Sequence, residues 1–226
     1  MPGFTSCGLY AITGGPHAQA NLLADVQQAL AGGARMLQYR DLSDDHARRL
    51  AEAQALKRLC DAHGVPLLIN GDASLAQAVG AAGVHLGETA EEIMGARARL
   101  GHRAIIGVSC SDSLELARLM VAAGADYISF GAFFPSPTLP HARVAPVELL
   151  RQSAALGVPR VAIGGITPEN GAALVEAGAD YLAVISALFG AADVRDAAQR
   201  FAGLSPTPNR NLAGAPTTNS SSARSA

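Results

Sequence analysis

Gln38 and Arg40 stand two residues apart in the run Met36-Leu37-Gln38-Tyr39-Arg40-Asp41. Side chains two apart in an extended chain share a face, so an amide and a guanidinium point the same way. That pairing suits a polar ligand carrying an anionic group, or else a structural ion pair of Arg40 with Asp72 or Glu88. Asn70 and Ser109 each end another apolar run, where a neutral donor and acceptor suits the orientation of a polar ring or the forming of a turn. Gly164-Gly165 follows Arg160-Val161-Ala162-Ile163 and lets backbone amides come close to a phosphate, or lets chain pack on chain. Ile185-Ser186 ends a last apolar run and adds a hydroxyl donor.

These residues recur at the ends of short β-prone runs, and the runs alternate with stretches of helical period. The pattern predicts strands over 8–13, 36–41, 66–70, 84–87, 104–110, 126–134, 160–166 and 181–186. Helices are predicted over 22–30, 44–63, 75–82, 91–100, 114–123, 146–156, 168–177 and 194–204. Eight βα units in succession argue for an α/β fold, a single (β/α)8 TIM barrel over residues 8–204. A doubly wound open sheet fits less well, because Gly14-Gly15-Pro16 lacks the glycine spacing of a dinucleotide turn. Gly83, Gly124 and Gly178 are expected to close helices, Asp112 with Glu115 to form a capping box, and Thr167-Pro168 to open a helix. Residues 205–226, rich in Pro, Thr, Asn and Ser, have little to bury and are expected to form a flexible, disordered tail.

In such a barrel the chemistry sits at the C-terminal ends of the strands, which is where the residues above fall. Loop six, after the sixth run, adds Ser136 and Thr138 between prolines as further hydroxyl donors, with His141 and Arg143 as nearby cations. Cys110 has no histidine close in sequence and is expected to be inert, and His85 has no second histidine at ligand spacing and is expected to be a satisfied interior residue.

Composition excludes several alternatives. There are 17 Lys and Arg against 19 Asp and Glu, a net charge of −2, so no broad field attracts nucleic acid or an anionic membrane. With no Trp at all, stacking platforms for single strands are not expected. Three widely spaced cysteines form no C-x-x-C pair, and no run of 18 apolar residues or leader-like start is present, so a cytoplasmic location is expected. The expected partners are small-molecule phosphates.

Taken in order, Leu9-Tyr10-Ala11-Ile12-Thr13, Gln38-Tyr39-Arg40, Gly83-Val84-His85-Leu86-Gly87, Gly107-Val108-Ser109, Phe134-Pro135-Ser136-Pro137-Thr138, Ala162-Ile163-Gly164-Gly165-Ile166 and Ala183-Val184-Ile185-Ser186 resemble the thiamine-phosphate synthase family. The resemblance implies a transferase of thiamine biosynthesis. In that reaction hydroxymethylpyrimidine diphosphate loses diphosphate with Mg2+, and a thiazole phosphate captures the cation to give thiamine phosphate. It also implies that Gln38, Arg40, Asn70 and Ser109 contact the pyrimidine diphosphate, Arg40, Asn70 and Ser109 being catalytic. Ser136, Thr138, Gly164, Gly165, Ile185 and Ser186 would surround the thiazole phosphate.

Four charged family positions are replaced here. Lysines give way to Leu42 and Leu139, and the magnesium aspartates give way to Gly71 and Ala90. Asp72, Glu88 and Glu91 are the substitute carboxylates, with Glu92 beside them, and His141 or Arg143 the substitute cations. Two other functions are compatible with the resemblance. One is a catalytically impaired member that binds thiazole phosphate as a sensor or partner protein. The other is a thiazole tautomerase, suggested by Asn70-Gly71, although Ser111 stands nearest the place of its expected histidine.

Overall fold

Alternate residues of each apolar run are buried on opposite sides, and this decides the architecture. The computed structural model describes residues 7–14, 21–135 and 144–204. Its strands are β1 (Gly8–Ile12), β2 (Met36–Tyr39), β3 (Leu67–Asn70), β4 (Gly83–Leu86), β5 (Ile105–Ser109), β6 (Tyr127–Phe130), β7 (Arg160–Ile163) and β8 (Tyr181–Val184). They form a closed barrel in chain order, every pairing parallel, with β8 returning to β1 through Leu9 opposite Leu182. The expected (β/α)8 barrel is therefore present.

Leu9, Leu37, Leu67, Val84, Ile106, Ile128, Ala162 and Leu182 face outward into the larger apolar cluster, which the surrounding helices complete. Their neighbours Tyr10, Met36, Leu68, Ile105, Tyr127, Val161 and Tyr181 form a second cluster inside the barrel. Continuing the alternation past Met36, Leu68 and Ile105 puts Gln38 with Arg40, Asn70 and Ser109 on the inner side near the rim.

The helices are α1 (Leu22–Ala31), α2 (His46–His63), α3 (Ala73–Val79), α4 (Ala90–Leu100), α5 (Leu114–Ala122), α6 (Glu148–Gln152), α7 (Gly171–Glu176), α8 (Ser186–Phe189) and α9 (Val194–Ala202), with a 3-10 turn at Ser153–Leu156 after α6. Side-chain caps define several starts. Asp45, Asp72, Thr89 and Asp193 each accept an amide of the first turn of their helix.

Some local expectations are corrected. Ser113, not Asp112, caps α5 by accepting from the Leu116 amide at 3.1 Å, since either residue type can cap and the chain places the serine at the turn. Gly80, with φ +63, closes α3, whereas Gly83 lies within β4, where a Cβ would stand 1.8 Å from the Ile105 carbonyl oxygen. Gly124 and Gly178 do follow helices with positive φ. Pro168 precedes α7 in a turn, and Asn170 ties that turn together by accepting from the Thr167 amide and donating to the Gly165 carbonyl. Helix α8 begins directly after β8, so Ser186 opens a short helix and does not end a strand.

Ser136, Thr138, Leu139, His141 and Arg143 of loop six, and the tail 205–226, lie outside the described residues.

Candidate active site

The strand ends enclose a cavity of about 530 Å3 at the C-terminal rim. One wall is polar and comes from β2 to β5: Gln38 and Arg40, Asn70, His85 and Ser109. The opposite wall comes from β7 and β8 with their following turns, through Ile163 to Thr167 and Ala183 to Ala187. Eight of the expected residues line the cavity: Gln38, Arg40, Asn70 and Ser109 on the first wall, and Gly164, Gly165, Ile185 and Ser186 on the second.

Arg40 is the only charged side chain lining the cavity among the described residues. The carboxylates proposed to neutralise it are occupied elsewhere. Asp72 binds Arg49 at 2.9 Å while capping α3, and Glu88 accepts from the Ser111 hydroxyl at 2.7 Å. Asp41 is engaged by Arg48 at 2.6 Å and by the Ser43 amide at 2.8 Å. Burial works against its charged form, but these hydrogen bonds hold its carboxyl below the ordinary range. The guanidinium of Arg40 is thus left for an anion in the cavity. Its backbone amide is fixed by Thr13 Oγ1 at 2.9 Å, and a Cβ on Gly14 would come within 3.2 Å of Arg40 Nη1. Nothing about Thr13 and Gly14 marks this role in sequence, because the contact spans two strands.

Gly164 and Gly165 have φ of +100° and +63°. A Cβ on Gly164 would lie 2.3 Å from the Ala132 Cβ, and one on Gly165 would lie 2.5 Å from the Phe134 carbonyl oxygen. Close packing against the chain after β6 is therefore one reason for both glycines. Both also line the cavity, so the same two residues leave backbone exposed to a ligand. The turn of Ser186 and Ala187 completes that wall, in the quarter of such barrels where phosphates commonly bind.

His85 is a satisfied interior residue, as expected. Its Nδ1 lies 2.8 Å from the Tyr127 hydroxyl and its Nε2 lies 3.1 Å from Ser109 Oγ. Burial lowers its pKa to about 4, so the ring is neutral near pH 7. Cys110 is fully buried and its thiol is pushed up to about 12 by desolvation, then by the charge of Glu88, which leaves no thiolate nucleophile.

The chain's fit to a magnesium ion is limited. Among the described residues no group of three or more His, Cys, Asp or Glu side chains converges on one point. Among these residues none with an acidic side chain lines the cavity. Gly71 has φ +68 with open space where a Cβ would be, and Ala90 is the first residue of α4. Of the substitutes, Asp72 is tied to Arg49 and Glu91 is exposed in the first turn of α4. Glu88 follows the lining residue Gly87 and accepts one hydrogen bond, from the neutral Ser111 hydroxyl. One carboxylate with substrate phosphates is enough for Mg2+, which keeps several waters and binds few protein ligands.

The fold and the cavity define a (β/α)8 barrel with a partly polar cavity at its C-terminal rim, into which Arg40 brings a positive charge. A family model described as "Thiamine monophosphate synthase" matches residues 9–188. A thiamine-phosphate synthase of Chromobacterium violaceum is 54% identical over 196 residues, spanning 87% of this chain and 95% of that protein. One of Xanthomonas campestris is 54% identical over 194 residues, spanning 86% and 93%. The solved structure of a thiamine phosphate pyrophosphorylase from Pyrococcus furiosus superposes with a TM-score of 0.80 at 32% identity, covering 93% of this chain and 98% of that one. The chain belongs to the thiamine monophosphate synthase family.

Proposed function

We propose that this protein joins a hydroxymethylpyrimidine diphosphate to a thiazole phosphate, releasing diphosphate and thiamine phosphate. The observation that carries this reading is convergence: Gln38, Arg40, Asn70 and Ser109 face Gly164, Gly165, Ile185 and Ser186 across one cavity in a member of this family.

The bond between the pyrimidine methylene carbon and the diphosphate oxygen breaks, and its electron pair leaves with the diphosphate. The lone pair of the thiazole nitrogen then forms the new carbon–nitrogen bond. No protein nucleophile takes part, in keeping with the inert Cys110. Arg40 holds the diphosphate through charge-assisted hydrogen bonds, and Asn70 and Ser109 orient the pyrimidine with Gln38. The Gly164-Gly165 backbone and Ser186 hold the thiazole phosphate beside Ile185, joined by Ser136 and Thr138 of loop six. Glu88 is the carboxylate of this chain that would hold a magnesium ion, which would supply positive charge against the diphosphate, whereas Asp72 is tied to Arg49 and Glu91 is exposed.

The activity resides in the barrel, residues 8–204, with 205–226 as an appended tail. Among the described residues no helix is long and apolar enough to cross a membrane. We place the reaction in the cytoplasm, where small phosphorylated substrates are retained, with no nucleic-acid partner. The test is incubation of purified protein with both substrates and Mg2+. Thiamine phosphate is expected, and no product above the enzyme-free control would overturn the reading.

A further inference from the structure

Barrel interiors are ordinarily filled by branched apolar side chains. Beneath this cavity the filling is polar and continuous. Gln38 Nε2 donates to the Tyr10 hydroxyl at 2.6 Å, and the Tyr10 and Tyr127 hydroxyls lie 2.9 Å apart. The Tyr127 hydroxyl meets His85 Nδ1 at 2.8 Å, and His85 Nε2 meets Ser109 Oγ at 3.1 Å. Gln38 and Ser109 both line the cavity, so the series leaves it at β2, passes under its floor and returns at β5. Gln38, Tyr10 and Tyr127 are at most 2% exposed. The Tyr127 ring stacks on His85 and stands edge-on to Tyr10. It fits because residue 107 is glycine, where a Cβ would overlap the phenol ring at 1.8 Å.

A buried polar series is tolerated when its members satisfy one another, and the donors here can be followed along it. The Tyr10 oxygen receives the Gln38 N–H, so its own proton goes to the oxygen of Tyr127, the hydroxyl 2.9 Å away. His85, neutral at pH 7, carries one N–H, and its two nitrogens face two hydroxyls. Whichever nitrogen holds the proton decides whether Ser109 offers the cavity a donor or only lone pairs.

We infer that the protons run one way, from Gln38 through Tyr10, Tyr127 and His85 to Ser109, which makes Tyr10, Tyr127 and His85 positioning residues that aim the Ser109 hydroxyl proton into the cavity. His85 is then protonated at Nε2 and donates to Ser109 Oγ. A serine held in this way binds an acceptor on the substrate, such as an unprotonated ring nitrogen or a phosphoryl oxygen, and disfavours an N–H at the same point. The inference rests on the proposed synthase reaction for its catalytic consequence, and on the hydrogen bonds for its direction.

The test has two parts. In 15N-labelled protein without substrate, NMR is expected to show His85 as the Nε2–H tautomer, and the Nδ1–H tautomer would overturn the proposal. Tyr127→Phe is then compared in the wild-type and Ser109→Ala backgrounds. A fall of about ten-fold in kcat/KM is expected in the first, with less than about two-fold in the second, because the effect passes through the serine. Equal losses in both backgrounds would mark a merely structural role and overturn it. Should Tyr127→Phe not fold, Tyr10→Phe is run through the same cycle, since it cuts the series one step earlier. A wild-type protein that makes no thiamine phosphate would overturn the synthase reading, and is told apart because the tautomer is read without turnover.

Discussion

A Cβ placed on Gly107 of β5 would stand 1.8 Å from Cζ of Tyr127 on β6, closer than any side chain permits. The absent side chain is the space in which the phenol crosses the barrel. Gly107→Ala forces the ring off its place between Tyr10 and His85, both of which it touches. Overpacking of this kind costs roughly 1–3 kcal/mol, or a fall in Tm of roughly 2–12 °C for a domain of this size. Thermal denaturation checks it, and an unchanged Tm would show that the strand moves freely.

His85 gives the stability a pH dependence. Its folded pKa is lowered to about 4 from 6.5 by desolvation, so between those values the unfolded chain binds the proton and the folded chain does not. Stability therefore rises with pH across this window and is lost as pH falls below about 6.5, the loss being complete below about 4. Part of the ring faces the cavity, so a loss of about 1–2 kcal/mol is expected, below the roughly 3 kcal/mol of a fully enclosed ring. Tyr127 and Ser109 are the hydroxyls facing it, and neither titrates there. Urea denaturation at pH 4 to 7 measures the slope, and His85→Gln is expected to flatten it.

Gly71 offers a direct test of the proposed magnesium site. A Cβ there meets nothing within 4 Å, while φ of +68 disfavours a side chain by about 1–2 kcal/mol, less for aspartate than for most. Gly71→Asp is thus expected to fold with a slightly lowered Tm and to reach half-maximal activity at a Mg2+ concentration about ten-fold lower, since under the proposed function a carboxylate there would join Glu88 on the ion. Metal titration by calorimetry in the presence of diphosphate reads the same change without turnover. An unaltered magnesium requirement would place the ion away from β3.

Much of this architecture is legible in the sequence. The eight apolar runs marked the strands, and the two-residue spacing of Gln38 and Arg40 put both on the inner face, because period-two alternation is a local property of an extended chain. The polar series under the floor was not legible. Tyr10 and Tyr127 are 117 residues apart, and in sequence each is an ordinary aromatic in a β-prone run. Helix α8 was hidden for a different reason: Ser186-Ala187-Leu188-Phe189 continues the apolar character of β8 without a break that separates helix from strand. The apolar pattern also carries the sixth strand to residue 134, whereas β6 ends at Phe130, since the apolar Phe133 and Phe134 pack into the core beyond the ladder.

Arg40 separates binding from folding most cleanly. No carboxylate among the described residues pairs with it, and its hold on the fold is through the backbone, where Thr13 Oγ1 accepts its amide at 2.9 Å. Removing the side chain therefore breaks no ion pair in the free protein, and Arg40→Ala is expected to leave Tm within about 2 °C of wild type. Under the proposed function the diphosphate would lose its charged donor on the polar wall. Hydrogen bonds to charged groups are worth about 1.5–3 kcal/mol, so kcat/KM is expected to fall by roughly 10- to 150-fold. Arg40→Lys keeps the charge but not the planar fork, and is expected to recover part of the loss. Steady-state kinetics varying the pyrimidine diphosphate, set beside a melting curve for each variant, checks both. A large loss of stability in Arg40→Ala would instead assign the guanidinium a structural partner, and the cavity would need another cation.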